Sequence, residues 1–290
     1  MKKTVTMVLI HSIIVIISII SCDGNKSQKL SKSAQKESIM LNQKILLVDV
    51  GNSVTITFLQ PNNALNTNYF WSSSNESVVV VDFMGKITAI SAGVATITAS
   101  TKDGILSDTS EITVITTEES VIINGIKWAT RNVNDPGTFT SESEDAGMFY
   151  QWNRKTAISS KGSVSDWNKT NPAGTNWTKS NDPCPNGWRL PTEAELQALI
   201  KSTGDWRIKN NSIGYLFGTA PNQIFLPFAG YRDYFYAGKL ELVNRSGGYW
   251  SSSQYDNTDA WSLSISQDGA YIDALNRSYA LSVRCVCDLK

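Results

Sequence analysis

Between Lys44 and Ile115 the chain repeats one pattern, short runs in which apolar and polar residues alternate, cut by turn residues. The runs are Val54-Thr55-Ile56-Thr57-Phe58, Tyr69-Phe70-Trp71, Val78-Val79-Val80-Val81, Lys86-Ile87-Thr88-Ala89-Ile90, Ala95-Thr96-Ile97-Thr98-Ala99 and Ile112-Thr113-Val114-Ile115. A period of two sends alternate side chains to opposite faces of a strand, so each run lays one face on a core. Pro61-Asn62-Asn63, Gly85, Gly93 and Asp103-Gly104 supply the turns. Roughly seven strands in about 70 residues predict a β-sandwich. With no cysteine in this segment, packing alone must hold it.

The chain begins differently. Lys2 and Lys3 precede a nearly continuous apolar stretch from Val5 to Ile20, followed by Ser21-Cys22. This is the pattern of a secretion signal, and its core of about 16 residues is short of the ~20 that span a membrane. Two apolar residues, a small residue and Cys also resemble the bacterial lipoprotein signal. The resemblance implies cleavage after residue 21 and lipidation of Cys22, giving a membrane anchor. Residues 22–42, rich in Ser, Lys, Gln and Asn, have too little to bury and are expected to form a flexible tether.

Removing Lys2 and Lys3 from 26 basic residues leaves 24 against 26 acidic ones, so the mature chain is near neutral. No long basic run is present, and no nucleic-acid partner is expected. The single histidine, His11, lies in the signal. The mature chain therefore offers no Ser-His-Asp or Cys-His nucleophile and no histidine metal site. No cofactor or metal is expected. Of four cysteines, Cys22 is assigned to lipid, leaving Cys184, Cys285 and Cys287. In an exported protein one bridge is expected, from Cys184 to Cys285 or Cys287, and the sequence leaves that choice open.

The strings VGNSVTITF, FWSSSNESVVVVDFMGKITAISAGVATITAS and ITVI resemble the bacterial immunoglobulin-like domain of group 2, over residues 43–116. The resemblance implies a stalk, with Trp71 as the buried core aromatic and Gly85 and Gly93 in turns.

After a short polar linker, Thr116 to Ser120, the residues from Val121 to Trp128 predict a hairpin about Asn124-Gly125. A second domain, 121–290, starts there. Thr192 with Glu195 three residues on is a capping box opening a helix, with Leu196, Leu199 and Ile200 as its apolar stripe and Gly204 as its stop. The paired acids Glu193 and Glu195 are explained by capping without invoking acid/base catalysis. Later runs, 248–253, 260–265, 270–272 and 280–286, read as strands. Few helices and several late strands predict an α+β domain after an all-β one.

The ordered motifs INGIKWATRNV, AGMFYQWNRK, DPCPNGWRLPTEAELQAL, FLPFAGYRD, GYWSSS and SVRCV resemble the Fibrobacter succinogenes major paralogous domain. The resemblance implies a C-type lectin-like fold shared with the formylglycine-generating enzyme group. It makes Trp188-Arg189-Leu190-Pro191 a core-building entry to the helix, and Cys287 an extra cysteine beyond the closing motif. Cys184 and Cys285 are taken as the expected disulfide residues, with Cys287 the open alternative to Cys285.

For a ligand surface, Tyr231, Arg232, Asp233, Tyr234 and Tyr236 stand out, since aromatic faces beside an Arg and an Asp suit stacking on sugar rings. Trp128, Trp152, Trp188, Trp250 and Trp261 are expected in the core, and Asp256-Asn257-Thr258-Asp259 as a solvated turn rather than a calcium site. The resulting expectation is a lipid-anchored outer-membrane protein, exposed at the surface, whose Ig-like stalk presents a lectin-like domain for adhesion or glycan or protein binding. The alternative is an exported enzyme, a copper-dependent thiol oxidase using Cys285 and Cys287 or a carboxylate-based hydrolase.

Overall fold

The structure, a computed structural model, describes residues 38–59, 69–116 and 118–288. The expectations for the signal, for Cys22 and for most of the tether lie outside the described residues.

The alternating segment forms two sheets around one core. In the first, Ile45–Asp49 pairs in parallel with Ser107–Ile115, which pairs antiparallel with Gly93–Ser100, followed by the edge strand Phe70–Ser73. The second orders Ser53–Thr55, Lys86–Ala89 and Val79–Val81. Alternation works as the period demands: Ala95, Ile97 and Ala99 are buried with Val79, Ile87, Ile112 and Val114, while Thr96 and Thr98 are half-buried.

Two expectations are corrected here. Trp71 is half-buried rather than wholly inside, because its strand is a sheet edge; its ring lies where a Cβ on Gly85 would come within 2.7 Å, and 5.5 Å from the ring of Phe58. Gly93 is no turn residue but opens the strand Gly93–Ser100, and a Cβ there would meet Val78 at 2.8 Å.

The Asn124-Gly125 hairpin forms with both residues at positive φ, joining Ser120–Ile123 to Ile126–Ala129. The latter strand also pairs with Val286–Cys287, so the chain's last strand returns to this region's first hairpin. Two three-stranded meanders follow in sequence, Gly204–Lys209 with Ser212–Thr219 and Asn222–Pro227, and Ser246–Gln254 with Asp259–Ser266 and Gly269–Asn276. A further sheet orders Tyr150–Gln151, Ala280–Leu281, Tyr231–Asp233 and Lys239–Glu241. The one helix among the described residues is Glu193–Ile200. The molecule is thus a multidomain, mostly β protein with a single short helix.

The helix opens on the predicted capping box: Glu195 N donates to Thr192 Oγ1 at 3.2 Å, and Thr192 N to Glu195 Oε2 at 2.7 Å. Its stop is corrected. Lys201 is the C-cap, and Gly204 instead begins the first meander, where a Cβ would lie 2.6 Å from Tyr215.

That meander packs on the Ig-like sandwich. Leu47 and Ile115 cluster with Leu216 and Phe225 across the seam. Beside them Lys209, 1 % exposed, binds Asp49 at 2.7 Å and Glu144 at 2.5 Å, with Ser143 Oγ at 2.6 Å. Each buried charge here has a partner, as burial requires. The three acids Asp49, Glu142 and Glu144 come close enough together to suggest a cation site, and the Lys209 ammonium already supplies the cation.

Candidate functional site

The second region is pinned in an unusual manner. Between Gln151 and the helix the chain forms no strand, only isolated bridges such as Phe149 to Ile158 and Asn176 to Ser253. Backbone carbonyls in a long irregular segment still need donors, and side chains provide them. Arg232 donates to the carbonyls of Ser159 (2.6 Å), Gly162 (2.9 Å) and Lys161 (3.0 Å), and to Gly238 (3.0 Å). Gln151 holds Asn168 at 2.6 Å, Arg154 holds Thr170 at 2.9 Å, and Asn153 holds Ala173 at 3.0 Å. Arg277 holds Pro172 (3.0 Å) and Gly174 (2.9 Å) while its guanidinium stacks 4.2 Å over Trp152.

This changes the role of Arg232. It is 0 % exposed and makes no ion pair among the described residues, so it lines no ligand surface. Burial pushes its guanidinium below the usual value. Asp233 is likewise buried and caps the following turn by accepting from Phe235 N at 2.7 Å. Residues 231–233 are a strand, not a loop; only the turn after it projects. Tyr236 and Phe235 are exposed there, and Tyr231 and Tyr234 are half-buried edge-on to Tyr279, at 5.6 and 4.9 Å. Burial first, then the charge of Asp233, pushes the Tyr279 phenol up to about 12.

What the pinned segment encloses is a cleft of about 460 Å³, lined by Gln151, Arg154, Ser159, Asp166, Trp167 and Asn168 among others. The Tyr234–Gly238 turn reaches it through Gly238, where a Cβ would lie 2.1 Å from the Trp167 ring. Of the residues lining the cleft, Arg154 and Trp167 each keep one nitrogen, Nε and Nε1, shielded from solvent and without a hydrogen-bond partner. Burial lowers the Arg154 guanidinium as well. Sequence reasoning missed Arg154, Asp166, Trp167 and Asn168. The available signal was a tryptophan stranded in a long Ser/Asn/Lys-rich segment.

The cysteines settle as Cys184–Cys285, with Cα atoms 6.1 Å apart, and Cys287 is free and half-buried. With Cys285 bridged, Cys285 and Cys287 do not form the dithiol that a copper-type oxidation would use. Asp256 closes a turn by accepting from Thr258 N (2.7 Å) and Asp259 N (2.8 Å). Glu195 is occupied by its cap and by both Arg189 donors, at 2.8 and 2.7 Å. Trp128, Trp152 and Trp250 are wholly buried, whereas Trp188 and Trp261 are half-buried.

Together these features define a two-part β protein with a pinned, irregular segment that walls a cleft. The chain belongs to the Lcl C-terminal domain family, whose model matches residues 143–287, and residues 36–114 match the group 2 bacterial Ig-like domain. Curated relatives share only short stretches. An uncharacterized protein of Clostridium acetobutylicum is 38% identical over 84 residues, 29% of this chain and 9% of that protein. The alpha-L-arabinofuranosidase of Bifidobacterium longum is 38% identical over 65 residues, 22% of this chain and 6% of the enzyme. The lacto-N-biosidase of Bifidobacterium bifidum is 44% identical over 52 residues, 18% of this chain and 4% of the enzyme. The chain thus spans less than a tenth of the length of each of these three. Among solved structures, an S-layer protein, SbsC, aligns over 82% of this chain and 25% of its own at TM-score 0.24 and 12% identity. Invasin, a bacterial integrin-binding protein, aligns over 87% and 39% at TM-score 0.23 and 12% identity.

Proposed function

We propose that this is a cell-envelope display protein whose Ig-like region presents a C-type lectin-like region for glycan binding in adhesion, without turnover. The observation that carries the reading is the Trp167 cleft. Arg154, Asp166, Trp167 and Asn168 line it, and the exposed Tyr236 and Phe235 stand on the turn whose Gly238 lies against the Trp167 ring. Aromatic faces with a few fixed donors are the chemistry of sugar recognition. Two relatives are named as glycosidases, which agrees with a carbohydrate-rich setting. Lipidation at Cys22 would anchor the chain in the outer membrane with its C-terminal region facing outward.

A glycan array probed with the full chain tests this. Binding is expected, and Trp167→Ala with Tyr236→Ala should abolish it while leaving the denaturation midpoint of the seam and sandwich nearly unchanged. Array binding that survives both substitutions removes the cleft from the reading. Intact-mass analysis of the cell-made protein tests the anchor: acyl groups on Cys22 are expected.

A further inference from the structure

The Ig-like sandwich has two ends, and strand direction assigns them. Ile45–Asp49 runs parallel to Ser107–Ile115, with Ile45 opposite Glu111 and Asp49 opposite Ile115. Asp49 and Ile115 meet the C-terminal region at the seam. The far end therefore holds the segment that enters before Ile45. Two hydrogen bonds fix it there: Leu41 N donates to Asp108 Oδ2 and Leu59 N to Met40 O, each at 2.7 Å. The nine residues of Ser107–Ile115, at ~3.3 Å apiece, put about 30 Å between the two ends.

The entry end is also where the sandwich leaves large apolar side chains uncovered. The turn between Val79–Val81 and Lys86–Ala89 carries Phe83 and Met84, 84% and 68% exposed; the turn between Gly93–Ser100 and Ser107–Ile115 carries Ile105, 78% exposed. Both turns lie at this end. Ser100 pairs with Ser107 there, and Lys86–Ala89 runs away from it, since Ala89 O accepts from Gly51 N beside Asp49. Met40, exposed as well, joins them from the entering segment. Phe83 and Met84 further line a groove of about 380 Å³ with Phe58, Tyr69 and Trp71. Neither turn is loose. Asp82 Oδ1 accepts from Met84 N at 2.8 Å and Lys86 N at 2.9 Å, and Asp103 Oδ1 accepts from Ile105 N at 3.0 Å. Apolar residues exposed singly need no explanation, but four from three separate segments gathered at one end do. The exposed Lys86 and Lys102 are matched in number by Asp82 and Asp103, so this end offers apolar surface rather than net charge.

The path of the chain names the occupant. The described residues start at Ser38, at this end, and sixteen positions separate Ser38 from Cys22, at most ~55 Å of chain. With Cys22 acylated, this is the end of the sandwich reached first from the bilayer. We propose that it is a membrane-docking surface, whose Phe83, Met84 and Ile105 enter the interface of a phospholipid bilayer. The choice of a bilayer rests on the anchor proposed at Cys22. The anchor makes the contact intramolecular, so weak insertion suffices. Its consequence is orientation: the seam, about 30 Å away at the opposite end, is held off the membrane together with the C-terminal region.

The test uses the chain from Cys22 onward with Cys22→Ser, which carries no acyl group, and phosphatidylcholine vesicles. Co-sedimentation is expected with half-binding at about 1–10 mM lipid, weaker than the ~10⁴ M⁻¹ of one myristoyl chain. Raising salt from about 0.05 to about 0.5 M should leave it unchanged, because the contact is apolar. Phe83→Trp should show emission that vesicles shift to the blue and brominated lipid quenches. Phe83→Asp with Met84→Asp should weaken binding about tenfold or more, and Ile105→Asp alone about threefold. Ile122→Asp, at an exposed apolar residue of the C-terminal region, should have no effect. Denaturation midpoints matched to the parent exclude unfolding as the cause. The proposal is overturned if the unacylated chain does not co-sediment or if binding survives the acidic substitutions on both turns. It is also overturned if those substitutions abolish self-association measured without vesicles, which gives the surface to a second copy. Acyl groups on Cys22 of the cell-made protein, with no vesicle binding here, would leave the anchor standing and remove the docking surface alone.

Discussion

The two regions of this molecule satisfy their buried backbone by different means. In the Ig-like sandwich the polar groups are met by strand ladders, and the core is an ordinary set of Val, Ile and Ala side chains. In the C-terminal region a long stretch has no ladder, and wholly buried arginines replace it. Arg232, Arg277 and Arg284 bind carbonyls and amide oxygens, and no ion pair to any of them is present among the described residues. Arg284 shows the energetic tension most clearly: burial pushes it down to about 10, and its donors go to Asn132 Oδ1, Ala129 O and Phe225 O at 2.9–3.2 Å. One guanidinium fixes three or four distant points of chain. The lesson is that stability is spread across many small contacts in the first region and concentrated in a few multivalent donors in the second.

The largest expected effect follows from that concentration. Arg232→Met keeps much of the aliphatic volume and removes every donor, stranding the carbonyls of Ser159, Lys161, Gly162 and Gly238. Each unmet buried acceptor costs about 1–3 kcal/mol, and water entering at the rim recovers part, so a loss of about 4 kcal/mol is expected in denaturant unfolding. Ile97→Val in the sandwich core should cost only about 1 kcal/mol. If the two losses turn out equal, the contrast between the regions fails.

Next is the bridge. Cys184→Ala with Cys285→Ala opens a closure of 101 residues, for which about 2–5 kcal/mol is expected. The comparison is sharpened by hydrogen exchange: protection should fall in 150–190 and 280–288 and persist in 93–115.

At the seam the effect is smaller and depends on pH. Burial opposes the charge on Glu144, but hydrogen bonds from Lys209 and Asn210 outweigh it and hold the carboxyl below its ordinary 4.5. A carboxyl depressed in the folded state contributes stability that is complete above the unfolded value and is lost as pH falls through the folded one. Glu144→Gln should therefore cost about 1–3 kcal/mol at pH 7 and flatten the acid limb of the stability curve below 4.5. An unchanged acid limb would mean that Glu144 is not coupled to folding.

How much of this was legible varied with the range of the interactions. The sandwich strands could be read because alternation is local, and Asn124-Gly125 and Thr192 to Glu195 because turn and cap chemistry act over a few residues. The 204–227 meander escaped notice, since Asp205, Arg207 and Lys209 alternate with Trp206 and Ile208, leaving the polar residues facing the seam. The usual sign of the pattern is inverted there by the partner domain. Arg232 was noticed for the right chemistry and given the wrong direction. Its exposed neighbours Tyr236 and Phe235 suggested a surface, while its actual partners lie 70 or more residues away in sequence, at Ser159, Lys161 and Gly162. No spacing rule reports such a contact.

The smallest predicted effect tests the local end of that scale. Thr192→Ala removes the side-chain acceptor for Glu195 N, which sits in the first turn of an eight-residue helix. A cap of this kind contributes about 1 kcal/mol. Here the Glu195 carboxylate has independent support: Arg189 grips both its oxygens, and Arg189 is itself tied to Asp288 at 2.7 Å. Half of the box therefore survives the substitution, because Glu195 Oε2 still accepts from the backbone N–H at position 192. The expected loss is about 0.5–1 kcal/mol in the unfolding free energy. Adding Arg189→Ala should bring the total loss above the sum of the two single losses, since the two donors share one carboxylate. Strict additivity in this double-mutant cycle would show the cap and the Arg189 clamp to be separate devices, so that even the most local motif of the C-terminal region would not share its multivalent design.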